Sequence, residues 1–330
     1  MVSDEGPYLN GTDLAPFPLA FYTAGMAFSF MSELVRHAVA HHVPIESLKL
    51  IQDNYYTMAG SALRGDMLGG AKPAEIRVEI QADASQAMIE RLMRLAEQSS
   101  PAQAYMRDRL TNTFALNLNG RQISVINVAA SPATPSPDPE PIFETVRPLD
   151  ASEYVPDIIT KLKAAEPVFG VEGGAGSSLQ AEQKRTLHVH GIGTLREDGL
   201  KEVQVQLFKP IGSTFQFISD EQSQSAPPSL AYLAAGVGFC YMTQMGRYAH
   251  IVKQDLQSYR IVQDNIFIFS GDTTQETLQA NAAPVNTQVF VAMNEPEEAA
   301  QKLVSMSERT CFLHAAMRTI NPTKIEIAGD

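Results

Sequence analysis

The chain is poor in the residues that would mark several common functions. It has two cysteines in 330 residues, Cys240 and Cys311, too few for a secreted disulfide scaffold. Basic residues number 25 against 37 acidic, for a formal charge of −12, and no run of Lys and Arg occurs. Phosphate binding needs clustered cations, so nucleic acid is excluded as the main partner. The start, MVSDEGPYLNG, has neither a basic head nor an apolar centre and does not read as a secretory signal. The longest apolar stretches are broken by Ser32-Glu33 and Arg36, or by Thr243-Gln244 and Arg247, before they reach the length of a membrane span. No Gly-x-Ser-x-Gly elbow, zinc motif, dinucleotide fingerprint or phosphate loop is present. A soluble, cytoplasmic chain with no membrane partner is the default reading.

What the chain does contain is a copy of itself. Its 44% hydrophobic content allows a sizeable core, and its length allows two domains. Sliding the sequence by 211 positions lays Pro16–His42 on Pro227–Lys253. Leu19-Ala20-Phe21 falls on Leu230-Ala231-Tyr232, Gly25 on Gly236, and Arg36 on Arg247. With no gap, the same offset aligns Gln52-Asp53-Asn54 with Gln263-Asp264-Asn265 and Met106-Arg107 with Met317-Arg318. One offset holding over about 90 residues indicates an internal duplication.

In chain order, Pro18–His42 reads as a helix apolar on nearly all sides, hence buried, with proline in its first turn. Alternation predicts strands over 47–60 and 75–82, then a helix capped by Asp83 or Ser85 and broken at Ser100-Pro101. Asn119-Gly120 marks a hairpin. We therefore divide the chain into a first half, 1–128, a linker, 129–182, and a fuller second half, 183–330. The linker is stiffened by the prolines of SPATPSPDPEP, holds a short helix predicted over Ala151–Ala165, and loosens at GVEGGAGSS. The second half opens with three predicted strands that the first half lacks. A helix over 229–252, strands over 259–270 and 286–293, a helix over 296–309, a break at Cys311 and a last strand follow.

Leu233-Ala234-Ala235-Gly236-Val237-Gly238-Phe239-Cys240 and Ser307-Glu308-Arg309-Thr310-Cys311-Phe312 resemble the two cysteine segments of the OsmC/Ohr family. That family reduces organic hydroperoxides with a reactive and a resolving cysteine. The resemblance covers 183–330 and, more weakly, 16–125. It implies an α+β fold of long buried helices wrapped by antiparallel sheets. It further implies that the two halves imitate the family's intertwined homodimer as an internal pseudo-dimer, which can itself pair again as a homodimer. By this resemblance Cys240 is the attacking thiolate and Cys311 the resolving thiol. Arg196 is the best positional candidate for the arginine that holds the thiolate, with Arg185 next. The implied partners are a small apolar hydroperoxide and a thiol or dithiol reductant, and no cofactor is called for. Leu230 stands at the family's glutamate, Ser229 at its helix-starting proline, and Phe312 at the proline after the second cysteine. The first half carries Ser29 and Ser100 at the cysteine positions and cannot run sulfenate chemistry.

Other readings stay open from the residues alone. Cys240 in an apolar helix also reads as a small buried hydrophobe, and the fold could hold or transform a small apolar molecule without redox chemistry. His188 and His190 share a strand face, but no third ligand is evident, so no metal site is assigned. His314, one turn beyond Cys311, lies near the pair in sequence. Arg36 and Arg247 read as fold-supporting, and Asp53 and Asp264 as makers of turn or edge hydrogen bonds. Gly25 and Gly236 are expected to let the two long helices approach closely.

Overall fold

The structure, a computed structural model, describes residues 1–9, 11–146, 158–165, 183–209 and 211–328. The first half runs α1 (Pro18–Ala40), β1 (Ile45–Gly60), β2 (Leu68–Ala71), β3 (Glu75–Ala82), α2 (Gln86–Ser99), α3 (Pro101–Arg107), β4 (Thr113–Leu118), β5 (Arg121–Ile123) and β6 (Ala129–Ala130). Between the halves lie α4 (Glu140–Glu144) and β7 (Ile159–Lys163). The second half runs β8 (Gln183–Leu195), β9 (Lys201–Lys209), β10 (Thr214–Ser219), α5 (Ser229–Val252), β11 (Leu256–Asp264), β12 (Phe267–Ser270), β13 (Gln279–Ala282), β14 (Asn286–Met293), α6 (Glu297–Thr310), α7 (Phe312–Arg318) and β15 (Lys324–Ile327).

The offset of 211 carries over from sequence to backbone. It maps β2 onto β13, β3 onto β14, α2 onto α6 and α3 onto α7 residue for residue. Left-handed residues recur in step as well: His42 and Lys253 close the long helices at φ 56° and 59°, and Gly60 and Gly271 both sit at φ 87°. The predicted α+β class therefore holds.

Each half lends the other the strand that follows its seven-residue helix. β4 pairs in parallel with β14, Leu116 opposite Val289, and β15 pairs in parallel with β3, Ile325 opposite Ile76. The three strands that only the second half possesses complete the exchange, because β8 pairs antiparallel along nearly the whole of β1, from Lys49↔Thr194 to Gly60↔Gln183. The larger sheet thus runs β15-β3-β1-β8-β9-β10-β7 and draws on both halves, while the smaller runs β11-β14-β4-β5. Among the described residues β11 has no second neighbour. This accounts for a difference from expectation: β1 is one continuous strand, whereas its repeat breaks between Asp264 and Phe267 into β11 and β12.

Pro18 starts α1 as its first residue, where its missing N–H costs nothing. The helix then buries nearly every side because it is enclosed by the larger sheet, α2, α3 and α5. Phe21, Phe28 and Phe30 are fully buried, each stabilising the fold by about 1.5–3 kcal/mol. α1 and α5 cross at the two repeated glycines. A Cβ on Gly25 would lie 2.7 Å from the Leu233 backbone nitrogen, and one on Gly236 would lie 2.7 Å from that of Tyr22. These four residues are exchanged by the 211 offset, so the crossing has the local two-fold symmetry expected of a pseudo-dimer. One core extends through both halves.

The linker departs from expectation. The helix predicted over Ala151–Ala165 lies partly outside the described residues, and where it is described Ile159–Lys163 forms β7, paired with β10. Its alternating Ile159, Lys161 and Lys163 suit an edge strand, and in isolation that stretch gave no such partner. GVEGGAGSS lies outside the described residues. Among the described residues no helix is long and apolar enough to cross a membrane.

Candidate functional site

Cys240 sits midway along α5. Cys311 occupies the corner where α6 ends and α7 begins, serving as C-cap of one and N-cap of the other. That corner folds the chain back so that the two sulfurs, 71 residues apart in sequence, stand 3.3 Å from each other as free thiols. A disulfide needs about 2.05 Å between sulfurs, so closure requires a shift of only about 1.2 Å.

Both sulfurs are enclosed, Cys240 being 2% exposed and Cys311 fully buried. Around them stand residues from both halves. Tyr56, on β1, places its ring 5.7 Å from that of Phe312 and accepts a hydrogen bond from Asn54 Nδ2. Gly69, on β2, lies so close to the Thr310 carbonyl that a side chain there would collide with it. The backbone N–H groups of Leu313 and Phe312 point at Cys240, and that of His314 at Cys311.

The two thiols are electrostatically unequal. Burial pushes Cys240 up, and the hydrogen bond and charge of Cys311 push it further, so it is held as a thiol. Burial opposes ionisation of Cys311 too, but the S–H of Cys240 and the adjacent His314 imidazole outweigh it and bring this group well below the usual thiol range. The pair therefore titrates as one unit, with a proton held between the sulfurs.

His314 is the functional candidate that sequence reasoning noted only by its spacing. It is fully buried between the rings of Phe114 and Tyr241, at 5.5 and 5.3 Å, and among the described residues neither ring nitrogen has a partner of full hydrogen-bond geometry. An enclosed, unpaired imidazole is costly. Its place beside Cys311 supplies a reason for keeping it, because it favours the ionised form of that sulfur.

Arg196 is not brought to this pair. It begins the turn between β8 and β9, its side chain is largely exposed, and it pairs with Asp198 at 2.8 Å. The stretch of β8 next to Tyr56 is Leu187, nine residues earlier, which is roughly 30 Å along a strand. Register is the reason: β8 is long, and its near end, not its far end, lies beside Tyr56. Arg185 lies at that near end, opposite Met58; its side chain falls outside the described residues.

The first half repeats the arrangement in oxygen. Ser29 and Ser100 are 2.8 Å apart, and the Ala102 N–H donates to Ser29 at 3.3 Å, as the equivalent Leu313 N–H points at Cys240. Gln103 stands at the place of His314.

A second cluster was not foreseen. His188 Nε2 and His190 Nδ1 both lie on one oxygen of Asp53, at 2.6 and 2.8 Å. Asp53 was read as a maker of turn or edge hydrogen bonds; it is instead the third member of the histidine pair, placed there by the register Asp53↔His190.

Residues 221–327 match the family model described as OsmC, OsmC-like protein. Two solved structures are similar over part of the chain. One is an OsmC-like hydroperoxide resistance protein from Jannaschia sp. CCS1, at 25% identity over 35% of this chain and 75% of that one, TM-score 0.26. The other is an OsmC-like protein from Mycoplasma pneumoniae, at 15% identity over 42% and 92%, TM-score 0.31. No curated protein sequence matches.

Proposed function

We propose that the chain is a thiol-dependent peroxidase that reduces organic hydroperoxides at Cys240 and Cys311, with the first half as a structural partner. The observation that carries this reading is the 3.3 Å separation of the sulfurs of its only two cysteines. Cys240 passes its proton toward Cys311 and attacks the terminal peroxide oxygen. The O–O bond breaks, the alkoxide leaves and takes a proton to become the alcohol, and Cys240 becomes a sulfenic acid. Cys311 then attacks Cys240 Sγ, expelling water and closing the disulfide. Two electrons from an external dithiol reopen it. The apolar surroundings of the pair, among them Phe312, Leu313 and Tyr56, suit an alkyl or aryl peroxide better than hydrogen peroxide.

Mass measurement after brief treatment with cumene hydroperoxide tests the reading directly. A two-hydrogen loss in the wild type is expected, with a one-oxygen gain on Cys240 in Cys311→Ser and loss of dithiol-dependent turnover in Cys240→Ser. Unchanged turnover in Cys240→Ser would end it. A non-redox role, holding a small apolar molecule, is favoured by the enclosure of both sulfurs; that role predicts no mass change on the same timescale.

A further inference from the structure

Away from the sulfurs, on the outer face of the larger sheet, the chain assembles a donor set that neither half has alone. His188 and His190 come from β8 of the second half, two residues apart and so on one side of the strand, while Leu187 and Val189 between and beside them are buried. Asp53 comes from β1 of the first half, opposite His190. One atom from each of the three lies within 4.8 Å of the others. We infer that Asp53, His188 and His190 form a binding site for a zinc-class divalent ion that clasps the two halves together across the β1–β8 seam.

The chemistry and the surroundings agree. Two imidazole nitrogens and one carboxylate oxygen are the ligands that zinc takes at about 2.0–2.2 Å, and a three-ligand set leaves a position open for water. A tetrahedral ion needs its donors roughly 3.3 Å apart. The present nitrogen–oxygen distances of 2.6 and 2.8 Å, held by shared protons, need open by only about half an ångström. Outer contacts orient the ligands. Tyr55 stacks on His188 with ring centres 4.6 Å apart, Phe208 packs edge-on against the same ring at 5.2 Å, and Arg77 stands 3.8 Å from the free oxygen of Asp53. The three side chains are between 12% and 27% exposed, so an ion has access from solvent. The repeated residue Asp264 has no counterpart to β8 and instead accepts a hydrogen bond from Asn286 at 3.0 Å. The cluster exists only where the extra strands complete the sheet.

The test uses the full, tag-free chain after chelator dialysis, in a Cys240→Ser, Cys311→Ser background so that thiols cannot bind the ion. The Ser29–Ser100 contact shows that this fold accommodates the serine pair. Calorimetric titration with zinc chloride is expected to give one ion per chain and a rise in unfolding temperature. Asp53→Asn and His190→Ala should each weaken binding at least about tenfold and abolish the rise. Absence of saturable binding, or equal binding in the His188→Ala, His190→Ala double variant, would overturn the site. Should those variants fail to fold, cobalt(II) added to the wild-type chain decides. A spectrum of nitrogen and oxygen ligands supports the site, and a thiolate charge-transfer band places the ion on the cysteines and overturns it.

Discussion

At the end of α2 and at the end of α6 the chain makes the same corner, and across each corner the long helix of the same half presents one small polar atom to another. In the first half the atoms are the oxygens of Ser29 and Ser100 at 2.8 Å; in the second they are the sulfurs of Cys240 and Cys311 at 3.3 Å. The backbone is indifferent to the substitution, since α3 and α7 start and end at equivalent residues. What differs is the chemistry next to the atoms: His314 beside the sulfurs, Gln103 beside the hydroxyls. A hydroxyl pair packs and hydrogen-bonds but cannot ionise in this range, whereas a buried thiol pair with an imidazole beside it can. Geometry is thus shared by both halves, and the thiol pair with its imidazole belongs to one.

The strongest way to break this comparison is to move the sulfurs. A chain carrying Ser29→Cys and Ser100→Cys together with Cys240→Ser and Cys311→Ser should still form a disulfide on oxidation, because the corner brings the atoms together. Its peroxide turnover with a dithiol should nevertheless fall by more than about a thousandfold, about tenfold of it from the missing His314 imidazole and the rest from the surroundings the transplanted pair leaves behind, Tyr56 and Phe312 among them. Turnover within tenfold of wild type would show that proximity alone suffices and that His314 has no part.

The helix crossing tests the symmetry itself. Gly236→Ala forces a methyl group to within 2.9 Å of both the backbone nitrogen and Cα of Tyr22, so α1 and α5 must separate. A loss of about 1–3 kcal/mol, read from the denaturant midpoint, is expected. Gly25→Ala should cost a similar amount, since the offset exchanges the two contacts. A loss at one site only would mean that the halves are not equivalent at their own axis.

His314→Gln gives the second half the residue of the first. The pair's first ionisation lies below the usual thiol value, helped by the imidazole. Removing that help should move the pH profile of thiol alkylation upward, with turnover near neutrality falling about tenfold. The sign for stability follows. A thiol whose folded pKa is depressed contributes stability that is present above its unfolded value and lost as pH falls through the folded one. The variant should therefore lose stability mainly at neutral to alkaline pH and little below the wild-type pKa. A profile unchanged by the substitution would remove His314 from the site.

Much of this arrangement was legible from one offset. The duplication placed both long helices, the strands that follow them and the two equivalent corners, one of serines and one of cysteines, because buried apolar helices and alternating strands write themselves locally. Ser100-Pro101 and Cys311 were read as breaks, yet each begins a seven-residue helix: proline or an extended capping residue can end one helix and start the next. The exchange of β4 and β15 and the pairing of β8 with β1 left no local mark, since a strand's pattern records which face is buried and not which partner lies alongside. For the same reason Asp53 could not be joined to His188 and His190, and Arg196 was placed by order along the chain when register decides the matter.

The smallest expected effect is at Arg196, and it bears on which end of β8 serves the sulfurs. Its guanidinium pairs with Asp198 within one turn and is 42% exposed. An exposed pair of this kind contributes under about 1 kcal/mol, and the strand carries it some 30 Å from Leu187, the residue paired with Tyr56. Arg196→Ala should leave turnover within about twofold of wild type and the thiol alkylation profile unmoved. A large loss with Arg196→Ala would mean that the far end of β8 folds over the pair during turnover. The enclosed arrangement of the two sulfurs would then be the resting form only.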